Sequence, residues 1–138
     1  MIVKLLMFYT SEWWYRTARK SLEEMPDVEK EESLAPAAVI FCHSEEADEQ
    51  DFEGVLKKCV KNIKWLAGKF ETKNIVLHSF NHLSSSKSSP AFALRMLDEC
   101  EARLANAGYA VMRTPFGYFN EFRMHVAGDS LAKVFKEF

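Results

Sequence analysis

The sequence predicts an α/β fold in which a mixed β-sheet is covered by two main helices. Two observations predict it: strand-like and helix-like segments alternate through the middle of the chain, and each helical segment carries one apolar stripe. With 138 residues, 48% of them hydrophobic, we expect a single domain over residues 1–138. No run of about 18 apolar residues occurs, so we expect a cytoplasmic protein rather than a membrane protein.

The N-terminal part of the chain predicts strands. Residues 1–10 are expected to form a buried strand, because the apolar stretch is too short for a signal peptide and lacks a basic leader. The aromatic residues 12–17 are expected to form its hairpin partner. Residues 21–33 carry six carboxylates and few large apolar side chains, which favours a solvated loop or a frayed helix. The apolar run 37–42 predicts a buried strand.

Two helices and a strand between them are predicted next. The first helix has apolar side chains at helical spacing, namely Phe52, Val55, Leu56, Cys59, Ile63, Leu66 and Phe70. Residues 74–78 predict a strand. The second helix has an N-cap at Ser89, a proline at its first position, Pro90, and a stop at Gly108.

The C-terminal part predicts two further strands. They cover residues 109–113 and 118–126 and are separated by the turn-prone residues 114–117. The apolar residues of the tail recur at helical spacing, which predicts a short helix there: Leu131, Val134, Phe135 and Phe138.

The charge pattern gives little attraction for nucleic acid overall, because the formal net charge is −2. Four lysines, Lys57, Lys58, Lys61 and Lys64, lie off the apolar stripe of the first helix. Such lysines usually form the solvent-exposed, charged face of an amphipathic helix. The alternative is a contact with an RNA backbone.

Metal and nucleophile motifs are incomplete. The three cysteines are widely spaced, so neither a disulfide framework nor a metal site is expected, and Cys59 and Cys100 are expected to pack in the core. His78 and His82 are four residues apart but fall on a strand and a loop, so no metal or other cofactor is predicted. Residues 128–131 match a serine-esterase signature, yet neither Asp nor His follows them, so no activated serine is predicted.

Two segments at strand ends carry the candidate chemistry, because functional groups collect there on α/β sheets. They are residues 80–85, FNHLSS, and residues 115–120, PFGYFN. With the serine–proline helix start and the helix end at residues 107–109, they resemble the archaeal-type editing domain of threonyl-tRNA synthetase. That family is a relative of the D-aminoacyl-tRNA deacylase fold, and the similarity is strongest over residues 74–133.

The resemblance implies a fold and a function. The fold would be D-aminoacyl-tRNA deacylase-like, and the function would be hydrolysis of serine wrongly attached to threonine tRNA. The need for it is physical, because a missing methyl group changes binding by only about 1–3 kcal/mol. The RNA 2′-hydroxyl would help water attack the ester. Implied partners are the aminoacylated 3′ end of tRNA, the rest of a threonyl-tRNA synthetase and a second copy of the chain, for which the aromatic residues 13–15 offer apolar surface.

The resemblance also implies site residues. The substrate would be bound by His43 and Ser44 through their backbone and by the side chains of Phe80, Asn81, Phe116 and Phe119. The ester would be lined by three catalytic residues, His82, Asn120 and Lys133.

Several positions depart from the family pattern. Asn120 stands where the family has a lysine, Lys133 where it has a glutamate, Phe119 where it has a tyrosine, and residues 8–10 where it has His-Ser-Asp. One possibility is that Lys133 supplies the positive charge that Asn120 no longer provides. The other is that the site has lost this charge and, with it, its catalytic activity. Two alternatives therefore stay open: a module that binds the tRNA end with weakened catalysis, and a D-aminoacyl-tRNA deacylase.

Overall fold

A computed structural model describes residues 3–138, so residues 1 and 2 of the first predicted strand lie outside the described residues. The elements in chain order are β1 (Lys4–Lys20), β2 (Glu31–Leu34), β3 (Ala37–His43), α1 (Phe52–Lys69), β4 (Asn74–Ser79), α2 (Pro90–Asn106), β5 (Ala110–Arg113), β6 (Tyr118–Val126) and β7 (Lys133–Glu137). Two short 3-10 helices cover Glu46–Gln50 and Ser130–Ala132.

The seven strands form one mixed sheet, which confirms the predicted α/β fold with two main helices. Its order is β2-β1-β3-β4-β5, and β6 and β7 also pair with β1. β3, β4 and β5 are parallel, and α1 and α2 make the connections between them, as parallel neighbours require. All pairings of β1 are antiparallel.

β1 is one continuous strand of 17 residues, so the predicted hairpin between residues 1–10 and 12–17 is wrong. Only Ser11 separates the two halves, and the stretch contains no Gly, Pro, Asn or Asp to form a tight turn. A register shift between Thr10 and Trp13 in the pairing with β6 absorbs the irregularity instead. The Thr10 hydroxyl fills the gap by accepting the His125 N–H at 2.9 Å.

One face of the sheet packs against both helices. The strands contribute alternate residues such as Ile40, Ile75 and Leu77, and the helices contribute Ile63 and Leu104. The helix bounds confirm both predicted helices, and the Ser89 hydroxyl caps α2 by accepting the Phe92 N–H. Within residues 3–138, neither helix has the length and apolarity that crossing a bilayer requires.

The cysteines belong to this helix-side core. Cys59 and Cys100 are 2% exposed, as predicted for packed thiols. A hydrogen bond with Cys100, together with burial, raises the pKa of Cys59, and burial raises the pKa of Cys42. Since the thiolate is the reactive form, these cysteines are structural.

The opposite face of the sheet carries an aromatic core. Trp13 and Tyr15, on the second half of β1, pack with Val39, Phe41 and Val76. Both are completely buried, at 1% and 0% exposed. The prediction that residues 13–15 form an apolar contact surface is therefore wrong for Trp13 and Tyr15.

Two predicted irregular or helical segments contain strands. The tail forms β7, which pairs with the first half of β1, so the predicted tail helix is wrong. Alternation along β7 places Val134 half-buried and Phe135 49% exposed. The end of the acidic segment forms β2, in which Glu32 accepts a hydrogen bond from the buried Tyr15 hydroxyl.

Candidate functional site

The two segments singled out in the sequence converge on one cavity of about 480 Å³. It lies where the chain leaves β4 and β5, beside the start of α2. Its lining includes His78, Ser79, Phe80, Asn81, His82, Lys87, Ser88, Pro90, Ala93, Ser21, Leu22, Phe122 and residues 114–120. The volume is in the range of about 300–1,000 Å³ that small-ligand sites occupy.

The loop that follows β4 is fixed by the end of β3. The buried His43 ring accepts the Leu83 N–H at Nδ1, over 3.4 Å, and its Nε2 lies 2.6 Å from the Ser86 carbonyl oxygen. With these partners, Nδ1 accepts a hydrogen bond and Nε2 donates one. Two main-chain hydrogen bonds also hold this loop against the end of β3, and we call the whole set the His43 clamp. They run from Phe80 N–H to the Cys42 carbonyl at 3.0 Å and from Ser88 N–H to the Ser44 carbonyl at 2.9 Å.

The turn on the other side of the cavity is fixed by the acidic segment. Gly117 has a φ of 77°, and a Cβ there would stand 2.5 Å from the Met25 Cγ atom. Its carbonyl accepts the N–H groups of Ser21 and Leu22. The Tyr118 hydroxyl donates to the Pro26 carbonyl and accepts from the Val28 N–H, each over 2.8 Å. Sequence reasoning missed Ser21 and Leu22, since nothing in their own pattern marks them.

Six of the nine residues predicted for the site line this cavity: Phe80, Asn81, His82, Phe116, Phe119 and Asn120. His82 is exposed, and its ring lies edge-on to Phe80, with centroids 5.1 Å apart. Phe119 is 50% exposed, and the Arg19 guanidinium lies 5.0 Å from its ring centroid. The structure therefore brings an exposed imidazole and exposed aromatic rings to one place.

Asn120 supports the turn with its amide. Its Nδ2 lies 3.4 Å from the Pro115 carbonyl and 3.5 Å from the Tyr118 carbonyl, both long for hydrogen bonds. Its Oδ1 is buried and has no hydrogen-bond partner among the described residues. This geometry fits a residue that shapes the cavity wall and retains one free acceptor.

Three predicted site residues lie outside the cavity lining. Lys133 is paired with Phe8 on the first half of β1, whereas Asn120 is paired with Thr17 on the second half. The ammonium group of Lys133 donates to the Ala127 carbonyl at 2.9 Å, just beyond the C-terminal end of β6. The position of Lys133 thus does not support the predicted contact with the ester.

His43 and Ser44 act behind the cavity rather than in its lining. The main-chain carbonyl of Ser44 is already used by Ser88, and the imidazole of His43 is used by the loop. Both residues are almost fully buried. They hold the residues that line the cavity, which differs from the predicted backbone contact with substrate.

Lys87 brings a positive charge to the cavity that the sequence prediction missed. It lies in the serine-rich loop, is exposed and lines the cavity. No carboxylate belongs to the described lining. The cavity is therefore suited to a ligand with a negative or polar group near this loop.

His78 and Thr114 were also missed and form a buried polar pair. The His78 Nδ1 lies 2.9 Å from the Thr114 Oγ1. Burial lowers the pKa of His78 to about 4, so its ring is neutral at neutral pH. The position of His78 in the sequence could have indicated this. His78 is two residues after Val76 on β4, so both side chains lie on the aromatic face of the sheet.

The lysine face of α1 lies away from this cavity. Lys57, Lys61 and Lys64 line an open groove of about 820 Å³ between the two helices, which also contains Arg103. Arg103 is paired with Glu53, whereas the three lysines have no ion pair among residues 3–138. The groove thus presents unpaired positive charge.

Comparison with known families finds one match over nearly the whole chain. Residues 3–138 match the family described as the archaea-specific editing domain of threonyl-tRNA synthetase. The threonine–tRNA ligase of Thermococcus sibiricus is 36% identical over 135 residues, and that of Methanosphaera stadtmanae is 32% identical over 134. Each alignment covers 96% of this chain, which spans 22% of the length of those relatives.

Solved structures share the fold at low identity. A c-Myc DNA unwinding element binding protein aligns with a TM-score of 0.61 and 10% identity, covering 98% of this chain and 97% of that chain. A probable eukaryotic D-amino acid tRNA deacylase aligns with a TM-score of 0.56 and 9% identity, covering 100% and 99%. These likenesses show a deacylase-like fold.

The buried His78 predicts how stability depends on pH. The pKa of His78 is lowered in the folded state, so below pH 6.5 the unfolded chain binds a proton that the folded chain does not bind. The free energy of unfolding therefore falls as pH falls from about 6.5 towards 4. Between pH 7 and pH 5 the wild type should lose about 2 kcal/mol more than His78→Gln. Urea unfolding at both pH values measures this. His125→Gln, which removes an exposed imidazole, serves as the control and should follow the wild type; equal losses in all three would contradict the prediction.

Proposed function

Because the chain belongs to the archaea-specific editing-domain family of threonyl-tRNA synthetase, we propose that its cavity hydrolyses serine from mischarged threonine tRNA. The single observation that carries this proposal is the convergence of residues 80–82 and 115–120 on one cavity. Such a cavity has room for the terminal adenosine and a small amino acid. The aromatic side chains Phe116 and Phe119 would pack against the nucleoside.

The proposed reaction is a water attack on the ester carbonyl. The carbon–oxygen bond to the ribose then breaks, and the proton lost by water is returned to the ribose oxygen, which releases serine and free tRNA. His82 would hydrogen-bond the ester, and Asn120 would line the wall of the cavity beside it. Lys87 would stabilise negative charge near the ester, a role for which Lys133 lies too far away.

We expect the cavity to accept serine and to reject threonine. The aromatic rings of Phe41 and Phe122 pack on His78, and they would limit the space for an added methyl group. Discrimination by a single methyl is on the order of 10- to 200-fold. Such size exclusion would give the cavity a proofreading role.

The alternatives make different predictions. A binding module would hold a seryl-3′-aminoadenosine analogue without turning over the ester. A D-aminoacyl-tRNA deacylase would hydrolyse D-amino acid esters faster than their L-forms. The homodimer also stays a prediction; a monomer by light scattering at micromolar concentration would refute it.

Deacylation of matched tRNAs tests the proposed function. The wild type should hydrolyse seryl-tRNA with a kcat/KM about 10- to 200-fold above that for threonyl-tRNA. His82→Ala should lower seryl hydrolysis by about 10- to 100-fold, the effect of removing a hydrogen bond to a charged group. His125→Ala, which changes an exposed histidine on β6 outside the cavity lining, is the matched control. Background loss of both esters with the wild type would refute the proposal.

The groove lined by lysines offers a contact for the phosphates of the bound tRNA. Lys57, Lys61 and Lys64 follow i, i+4 and i+7 spacing, so they share one face of α1. α2 joins the two regions, because its first turns line the cavity and its last turn lines the groove. Over about 13 residues this separation is about 20 Å.

Replacing the groove lysines should weaken tRNA use without affecting a minimal substrate. The triple change to Gln at Lys57, Lys61 and Lys64 should raise KM for seryl-tRNA and reduce its salt slope by about 2–3, one phosphate contact per lysine. Hydrolysis of 3′-seryl-adenosine should stay at the wild-type rate. Lys58→Gln, on the same helix but outside the groove, is the control. An unchanged salt slope would contradict the role of this face.

A further inference from the structure

One buried polar group of the cavity has no place in the proposed hydrolysis. His78, the penultimate residue of β4, is 6% exposed, and Thr114, which follows β5, is 4% exposed. Both residues line the cavity. The Thr114 N–H is bonded to the Leu77 carbonyl, so its hydroxyl is held at a fixed position against the imidazole.

The remaining surroundings of the imidazole are aromatic rings. Its centroid lies 4.9 Å from that of Phe41, 5.4 Å from that of Phe122 and 6.4 Å from that of Phe80. Nδ1 is bonded to Thr114, whereas Nε2 has no hydrogen-bond partner among residues 3–138. This nitrogen is not fully enclosed by the protein, so a ligand in the cavity can supply the missing partner, and the hydrogen bond then contributes to binding.

The charge state restricts which ligand group fits. Burial keeps the ring neutral at neutral pH, because it lowers the pKa of His78 to about 4. A neutral imidazole suits an uncharged hydroxyl, which can both donate and accept.

We propose that the His78 Nε2 hydrogen-bonds the side-chain hydroxyl of the aminoacyl group, and that Thr114 orients the imidazole for this contact. His78 then determines that the cavity takes a hydroxyl amino acid rather than an apolar one of similar size. The proposal rests on the proposed editing function and adds to it the group that reads the substrate. A site built to bond a hydroxyl rejects a substrate that lacks one, because its polar group is left unpaired.

Seryl-tRNA and alanyl-tRNA test the contact, because the two amino acids differ only in the hydroxyl. The readout is the ratio of kcat/KM for the seryl ester to that for the alanyl ester. His78→Asn keeps an amide near Thr114 but removes the group at the Nε2 position, and it should lower the ratio about tenfold. His78→Gln places an amide near the Nε2 position and should restore most of the ratio.

Thr114→Val is a second variant, because it keeps the imidazole and removes its support. It should lower the same ratio by about three- to tenfold. A wild-type ratio in both His78→Asn and Thr114→Val would overturn the inference while leaving the editing function intact. If the wild type hydrolyses neither ester above the spontaneous rate, the proposed function itself fails, and this inference fails with it.

Discussion

The candidate site depends on one buried histidine. His43, at the end of β3, uses both ring nitrogens to hold the loop that leaves the neighbouring strand β4. Without these bonds a serine-rich stretch of ten residues would have little to order it, since it contains few apolar side chains. The His43 clamp works because β3 and β4 are parallel neighbours, so their ends meet at the same edge of the sheet.

The other wall of the cavity depends on the long first strand. β1 continues past the sheet formed with β3 and carries β6 on its second half. Trp13 and Phe122 pack at 5.4 Å between centroids, and Phe122 also contacts His78. This aromatic packing brings the turn before β6 against the end of β4, and Gly117 lets the turn approach the acidic segment closely. Core packing and site geometry are thus the same set of contacts.

The sequence predicted those parts of the fold that local patterns encode. Both helices followed from apolar spacing and from caps such as Ser89, and β6 followed from alternation. The hairpin and the tail helix were wrong because a bulge at Thr10 and the pairing of β7 with β1 are tertiary features. Short apolar tails read equally well at helical and strand spacing until a partner strand is known.

The site was predictable only where a motif marks it. Residues 80–85 and 115–120 were singled out because they follow predicted strands, and the family resemblance assigned site residues among them. Residues 80–82 and 115–120 do line one cavity. Lys87 and the pair of His78 with Thr114 were missed, because each is ordinary in its own segment and acquires a role only through neighbours distant in the chain. Lys133 was assigned through the family resemblance alone, and strand pairing places it beyond the other end of β6.

The binding site is formed by two separate segments, so a crystal structure of the protein with a non-hydrolysable seryl-3′-aminoadenosine is the decisive measurement. We expect the analogue to lie between the loop at residues 80–83 and the turn at residues 115–119, in contact with both. A ligand bound elsewhere on the surface, or touching only one of these segments, would contradict this expectation.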